Sequence, residues 1–260
     1  MEDNKVVLLG AGNVATHLGR ALIENGYQVV QVYSRTEAAA SVLAKNLSAT
    51  FTTSLDELYD DAHWYIVALK DSVLPELIPS IVKGKEDALF LHTAGSIPMN
   101  VWKGYAKNYG VLYPMQTFSK YRKMDFMQVP FFIEANNQEG MTCLKTLAHK
   151  LSPKVYEASS EQRKYLHLAA VFACNFTNHM YALCDQLLDE QGLPFEVMLP
   201  LIDETARKVH ELSPKEAQTG PAIRYDENVI KRHLDMLAER PNMQEIYEKI
   251  SENIHRYDKL

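Results

Sequence analysis

Val6-Val7-Leu8-Leu9-Gly10-Ala11-Gly12-Asn13-Val14-Ala15 decides how this chain folds. The apolar run 6–9 stops at Gly10, the pattern of a strand buried on both faces of a parallel sheet. Beyond it Val14, Leu18, Ala21 and Leu22 recur at helical spacing, and Asn25-Gly26 supplies a helix stop. The residues between match G-x-G-x-x-G/A where that pattern has meaning, after a strand and opening a helix. Gly10 permits a tight turn, Gly12 lets the backbone approach a pyrophosphate, and Ala15 is small enough for helix to pack on strand. With Asn13 and Val14, the helix N-terminal amides then face the anion. A tight turn without a ligand is the alternative for a lone match; the strand and helix around it favour a dinucleotide.

The next apolar stretch, 27–33, reads as a second strand and runs into Ser34-Arg35-Thr36. An NAD-preferring site places an acid here for the ribose hydroxyls. In its place Ser34 and Thr36 offer hydrogen bonds, and Arg35 can pair with a 2′-phosphate and stack on adenine. The pattern predicts NADP(H). A solvated surface arginine is the competing reading, and Glu37 keeps NAD in view. The missing acid also argues against an S-adenosylmethionine methyltransferase.

Outward from this point, strands and helices alternate. Helical segments are expected at 37–44, 55–59 and 75–82, and strands at 64–69, 88–92, 109–113 and 131–134, with a helix at 141–151. From about Glu161 only helical periods follow: 165–191 as one long helix, then 194–210, 225–240 and 243–257. The fold class expected is α/β, an N-terminal Rossmann fold with a mainly parallel sheet followed by an all-α C-terminal domain, with the boundary at 1–153 and 154–260. The chain of 260 residues, 47% hydrophobic, is long enough for both.

A net charge of -6 gives no footprint for a nucleic-acid backbone. Cys143, Cys174 and Cys184 show neither disulfide nor zinc spacing, so no metal is expected. Residues 1–5 are polar and form no signal peptide, and no apolar run reaches the roughly 20 residues of a membrane span. A cytoplasmic protein without nucleic-acid or membrane partners is expected.

Reacting groups are sought beyond the carboxyl ends of the strands. Leu69 and Lys70 close one strand and are placed over the cofactor, Lys70 being either an acid or a solvated loop residue. Leu91-His92-Thr93-Ala94-Gly95-Ser96 sets an imidazole, two hydroxyls and a glycine past another. His92 is a candidate proton donor, Thr93 and Gly95 candidate cofactor contacts, and Ser96 a substrate contact; a capped turn with a hydrogen-bonded histidine is the alternative. Gln116 and Thr117, after Tyr113-Pro114-Met115, suit an amide, carboxylate or ribose. In the helical half His167, Asn175, Asn178 and His179 interrupt an apolar helix, and a polar stripe facing the cleft between the halves would make His167 and Asn175 catalytic candidates. Satisfied core bonds or a dimer contact would explain them as well. Arg224 is a candidate clamp for a substrate carboxylate, or a surface residue; Asp226 is placed to cap the following helix.

The glycine loop, His92-Thr93-Ala94-Gly95-Ser96, Tyr113-Pro114-Met115-Gln116-Thr117-Phe118 and Thr219-Gly220-Pro221 together resemble a bacterial family that joins a Rossmann-like domain to a C-terminal helical domain of unknown function. The first half is similar to the NADP-binding domain of coenzyme F420-dependent NADP oxidoreductases. The whole resembles the pyrroline-5-carboxylate reductase, ketopantoate reductase and β-hydroxyacid dehydrogenase superfamily. The resemblance implies hydride transfer between NADP(H) and a small carbonyl, imine or deazaflavin-type acceptor, with the helical domain closing the cleft and making a homodimer. The β-hydroxyacid dehydrogenase motif G-x-x-G-x-G-x-x-x-K-x-x-x-N is represented only by Asn175, its lysine being absent, and the Gly/Ser-rich segment of pyrroline-5-carboxylate reductases is missing too. A non-catalytic NADP(H) sensor is the other class of function open to this sequence.

Overall fold

The structure is a computed structural model that describes residues 4–258. The polar start read at 1–5 therefore lies mostly outside the described residues. In chain order the first elements are β1 (Lys5–Leu9), α1 (Asn13–Glu24), β2 (Gln28–Tyr33), α2 (Glu37–Leu47), β3 (Thr50–Thr52), β4 (Trp64–Val67) and α3 (Leu74–Val82). They are followed by β5 (Leu89–His92), β6 (Asn108–Pro114), β7 (Phe131–Ala135), α4 (Gln138–Leu151) and β8 (Val155–Glu157). All eight strands join one sheet in the order β3-β2-β1-β4-β5-β6-β7-β8. Every pairing is parallel except β6 with β7.

Strand β1 is apolar on both faces because both faces are covered. Val6 and Leu8 enter one core with Ala15, Leu18 and Leu22 of α1, while Val7 and Leu9 enter the other with Tyr65, Ile78 and Phe90. These four of the five β1 side chains have no exposed surface. Burial of this kind contributes about 1.5–3 kcal/mol for each such side chain. β1 lies between β2 and β4, so the chain leaves it in one direction and later returns to its other side. That reversal opens a crevice at the carboxyl ends of β1 and β4, where open α/β sheets bind ligands.

The structure alters several expected elements. The strand read at 64–69 ends at Val67: the Ala68 N–H makes a last bond to the Leu9 carbonyl at 2.7 Å, and the chain then turns. β3 and β8 carry no apolar run: Phe51, Tyr156 and Glu157 are exposed, so these short edge strands left no pattern to read. The helix expected at 165–191 begins earlier, as α5 (Ser160–Ala170), passes through a π-helical turn at Val171–Phe176 and continues as α6 (Thr177–Asp189). Its start is set by a capping box between Ser159 and Gln162. The segment 194–210 opens with a 3-10 turn before α7 (Leu199–Glu211). α8 (Pro221–Arg224), α9 (Glu227–Met236) and α10 (Pro241–Asp258) complete the chain, and Asp226 caps α9 as expected.

The chain forms two compact units, one ending at Asn175 and the other beginning at Phe176. The texture boundary at 153/154 comes earlier because β8 and the anchored start of α5 extend the sheet unit beyond it. Among the described residues, no helix is long and apolar enough to cross a membrane, and no three His, Cys, Asp or Glu side chains cluster as metal ligands.

Candidate active site

At the carboxyl end of β1, Gly10 adopts φ +123°, and its N–H donates to the Tyr33 carbonyl at 2.8 Å. A Cβ here would lie 2.3 Å from the Ala68 carbonyl oxygen, so only glycine lets β1 and the segment after β4 close on each other. Gly12 is different: it is exposed, and a Cβ would meet nothing within 4 Å. Gly12 is the N-cap of α1, no side chain caps this end, and no acid stands in its first turn. The leading amides of α1 thus face open space at the crevice, the arrangement that takes a phosphate. Ala11 and Ala15 are buried and Val14 is half-buried, while the Asn13 amide donates to the Phe118 carbonyl at 2.8 Å. That bond, with His17 Nε2 2.9 Å from the Ser119 carbonyl, ties the loop after β6 to α1.

Ser34, Arg35 and Thr36 follow β2 as expected. Arg35 and Thr36 are exposed, Ser34 is half-buried, and the Arg35 guanidinium makes no hydrogen bond or ion pair among the described residues. Leu69 is half-buried and Lys70 exposed in the turn after β4. Thr93 is buried, its N–H bonding the Val67 carbonyl at 3.0 Å and its hydroxyl the same oxygen at 3.4 Å. Ser96 is exposed and its hydroxyl donates to the Asp71 carboxylate, joining the loops after β4 and β5.

His92 stands differently from its expected role as proton donor. It has no exposed surface, packs against Trp102, and its Nδ1 accepts from the Ala94 N–H at 3.2 Å. Burial, reinforced by the Arg163 charge and only partly opposed by the Pro98 backbone, lowers its pKa to about 3. A neutral, enclosed imidazole shapes the turn that carries Thr93 and Gly95. Of the capped turn with a hydrogen-bonded histidine, the structure shows the histidine; the Thr93 and Ser96 hydroxyls bond Val67 and Asp71 instead.

The groups that converge at this end are others, the buried Tyr113 and the exposed His167. The Tyr113 hydroxyl, at the end of β6, lies 3.3 Å from Nδ1 of His167 on α5. Both pack directly on Gly95, where a Cβ would come within 2.8 Å of His167 Nδ1 and 2.9 Å of Tyr113 Cζ. Arg163, one turn before His167 on the same helix face, is 1% exposed. It pairs with Glu134 of β7 at 2.6 Å and donates to the Ile97 carbonyl at 2.6 Å. Ser160 adds a 2.7 Å bond to the same Glu134 oxygen and receives the Met99 N–H at 2.9 Å. This network fastens α5 to the sheet and to the loop after β5, and so fixes where His167 stands. Burial raises the Tyr113 phenol pKa, with the Arg163 charge opposing and Asp71 and Cys174 adding to the rise.

Asn175, Asn178 and His179 are exposed, and the π turn that contains Asn175 interrupts the helical period that a single polar stripe requires. Gln116 and Thr117 are exposed, the Gln116 side-chain Oε1 accepting the Thr117 N–H at 2.8 Å. Arg224 is exposed in the second unit. Tyr113, Arg163 and Glu134 were not picked out from sequence. The ending of a strand at Tyr113-Pro114 was a readable signal for the first; nothing in the sequence pairs Glu134 with Arg163.

Comparison with known proteins agrees with this geometry. Residues 5–94 match the family described as NADP oxidoreductase coenzyme F420-dependent, and residues 129–254 match Domain of unknown function (DUF2520). The chain is 62% identical to a Bacteroides fragilis protein described as an NADP oxidoreductase, over 98% of this chain and 99% of that one, with a TM-score of 0.95. It shares its fold with an imine reductase from Myxococcus stipitatus solved with NADP+ (14% identity, 98% and 94% coverage, TM-score 0.67). The same holds for the 1-pyrroline-5-carboxylate reductase of Streptococcus pyogenes (13%, 97% and 98%, TM-score 0.62). No curated protein matches the chain. The chain belongs to the NADP oxidoreductase family that includes the Bacteroides fragilis protein, and it is an oxidoreductase whose cofactor is NADP.

Proposed function

We propose that this protein reduces a small molecule bearing a C=N or C=O bond with NADPH, at the carboxyl ends of β1, β4, β5 and β6. The observation that carries this reading is the coincidence, at one end of one sheet, of the uncapped α1 N-terminus with the exposed Ser96 and His167 beside Gly95. The free amides from Gly12 to Ala15 would hold the pyrophosphate, and Ser34, Arg35 and Thr36 the 2′-phosphate. Leu69, Lys70, Thr93 and Gly95 would line the path toward the nicotinamide. When bound, NADPH supplies the hydride; the protein supplies orientation, exclusion of water and a proton. Ser96, Gln116 and Thr117 are the substrate contacts proposed in the first unit, with Asn175 as a further polar contributor; Arg224 is proposed only as an anion contact of the second unit.

We also propose a homodimer in the cytoplasm, built on the helical domain that begins at residue 154 by texture. Leu187, Leu193, Val197, Leu201 and Met236 expose apolar surface on the second unit, as an interface between copies would require. None of the three cysteines is in a disulfide, consistent with a reducing compartment.

Fluorescence titration with NADPH and NADH, followed by an NADPH absorbance screen of keto acids, cyclic imines and deazaflavins, tests the reading. Preferential NADPH binding and turnover of one class are expected. Tight NADPH binding with silence across the panel would favour a sensor. Equal affinity for both nucleotides would remove the role given to Arg35.

A further inference from the structure

We propose that Tyr113 is the catalytic acid of this oxidoreductase, with His167 as the partner that orients its hydroxyl and restores its proton. The inference deepens the reductase reading and rests on it. Four observations carry it, and the first is position. Tyr113 is the penultimate residue of β6, beside β5 and at the same end of the sheet as Gly10, Ala68 and Gly95, where the crevice of an open α/β sheet receives its ligand.

The second is geometry. The phenol oxygen and His167 Nδ1 lie 3.3 Å apart, slightly longer than the roughly 2.6–3.2 Å of a formed catalytic hydrogen bond, as such bonds often are before substrate tightens them. With the proton on Nδ1, the ring donates to the phenol oxygen and leaves the phenol O–H for a substrate atom. The third is the surface at Gly95. Both side chains press against a position where a methyl group would collide with them, so the loop after β5 presents backbone alone beside the dyad.

The fourth is rigidity. His167 is exposed and so exchanges protons with solvent, yet its helix is held by the buried Arg163, bonded to Glu134 and to the Ile97 carbonyl. The other candidate acid at this end, His92, is enclosed and already engaged with the Ala94 N–H. The charged and titratable groups bearing on Tyr113 are Arg163, His167, Asp71 and Cys174. They leave the phenol protonated at neutral pH, as a proton donor requires.

The step balances as a two-electron reduction. Hydride from NADPH adds to the carbon of the C=N or C=O bond, and the π electron pair moves onto nitrogen or oxygen. That atom takes the Tyr113 proton, giving an amine or alcohol, NADP+ and a tyrosinate. The tyrosinate recovers a proton from His167 Nδ1 while Nε2 accepts one from bulk solvent, so the net proton comes from water.

Tyr113→Phe tests the assignment, because it keeps the ring that packs on Phe132 and removes only the hydroxyl. With the acceptor found by the screen, the variant is expected to lose about 10²–10⁴-fold in kcat while NADPH affinity is retained. His167→Gln is expected to lose less and to shift the pH profile. Independently of turnover, the ring-nitrogen NMR shifts of His167 are expected to move in Tyr113→Phe. A Tyr113→Phe enzyme within about threefold of wild-type kcat, measured against that general-acid range, would overturn the assignment while leaving the reductase reading intact. Unchanged His167 shifts would overturn the dyad. Silence of the wild type on every acceptor, with NADPH bound, would remove both readings together.

Discussion

The two compact units solve the problem of apolar surface in opposite ways. In the first, β1 and its neighbours bury their side chains on both faces, and even the polar His92, Thr93 and Arg163 are enclosed with partners. In the second, only Ala222, Leu237, Met243 and Ser251 are buried among the described residues, while leucines, valines and methionines lie open along α6, α7 and α9. A sheet with crossover helices closes on itself within one chain. A set of helices with apolar side chains on several faces asks for a second surface. The first unit should therefore respond to single substitutions inside it, and the second to the presence of another copy.

The largest effect is expected at Gly10. Valine there places a Cβ against the Ala68 carbonyl at a positive φ, and should cost about 4 kcal/mol or more, with loss of NADPH binding. Urea unfolding together with nucleotide titration would measure both, and a near-native midpoint would refute the close approach. Next is Arg163→Met, which strips the charge partner from Glu134 and frees α5. A loss of about 3 kcal/mol is expected, by analogy with other broken buried pairs, seen as a fall of about 6–12 °C in Tm. A shift under about 2 °C, well below that scaling, would mean that the network does not hold the helix.

His92 offers a test by pH. The unfolded chain protonates it near 6.5 and the folded chain only at about 3, so the unfolded state binds the extra proton between those values. Stability should fall as pH drops through that window and be independent of this group above it. Between about pH 7.5 and 4.5 the contribution is about 2–3 kcal/mol. His92→Asn should flatten the pH dependence by that amount in urea titrations; identical slopes would show that the imidazole is not kept neutral.

Two smaller effects probe the nucleotide end and the helical unit. Arg35→Glu should weaken NADPH by about ten- to a hundredfold and leave NADH nearly unchanged, since one charge-assisted pairing is worth about 1.5–3 kcal/mol. Equal losses for both nucleotides would point to a structural effect. For the second unit, wild-type Tm should rise with protein concentration, as for any fold coupled to association. Leu201→Glu should abolish that rise, and sedimentation would show a monomer. A concentration-independent Tm in a monomeric wild type would end the contrast between the units.

Much of the first unit was legible in the chain itself. Residues 6–9 had to be a doubly covered strand because nothing polar interrupts them, and Gly10, Gly12 and Ala15 occupy the spacing that a phosphate-binding turn demands. The same local reading stopped short at β3 and β8, most of whose residues face solvent and so leave no hydrophobic period. It also followed one polar stripe through α5 and α6, because a π turn leaves no mark in residue spacing. The site divides along the same line. Sequence alone determined the α/β class, the glycine loop and Arg35 in place of an acid, since these depend on neighbours along the chain and on the period of burial. Only the tertiary structure decided that His92 turns inward, that Arg163 meets Glu134, and that Tyr113 reaches His167 over Gly95. Those contacts join residues 29 and 54 positions apart, and such meetings are set by how strands and helices stack in space.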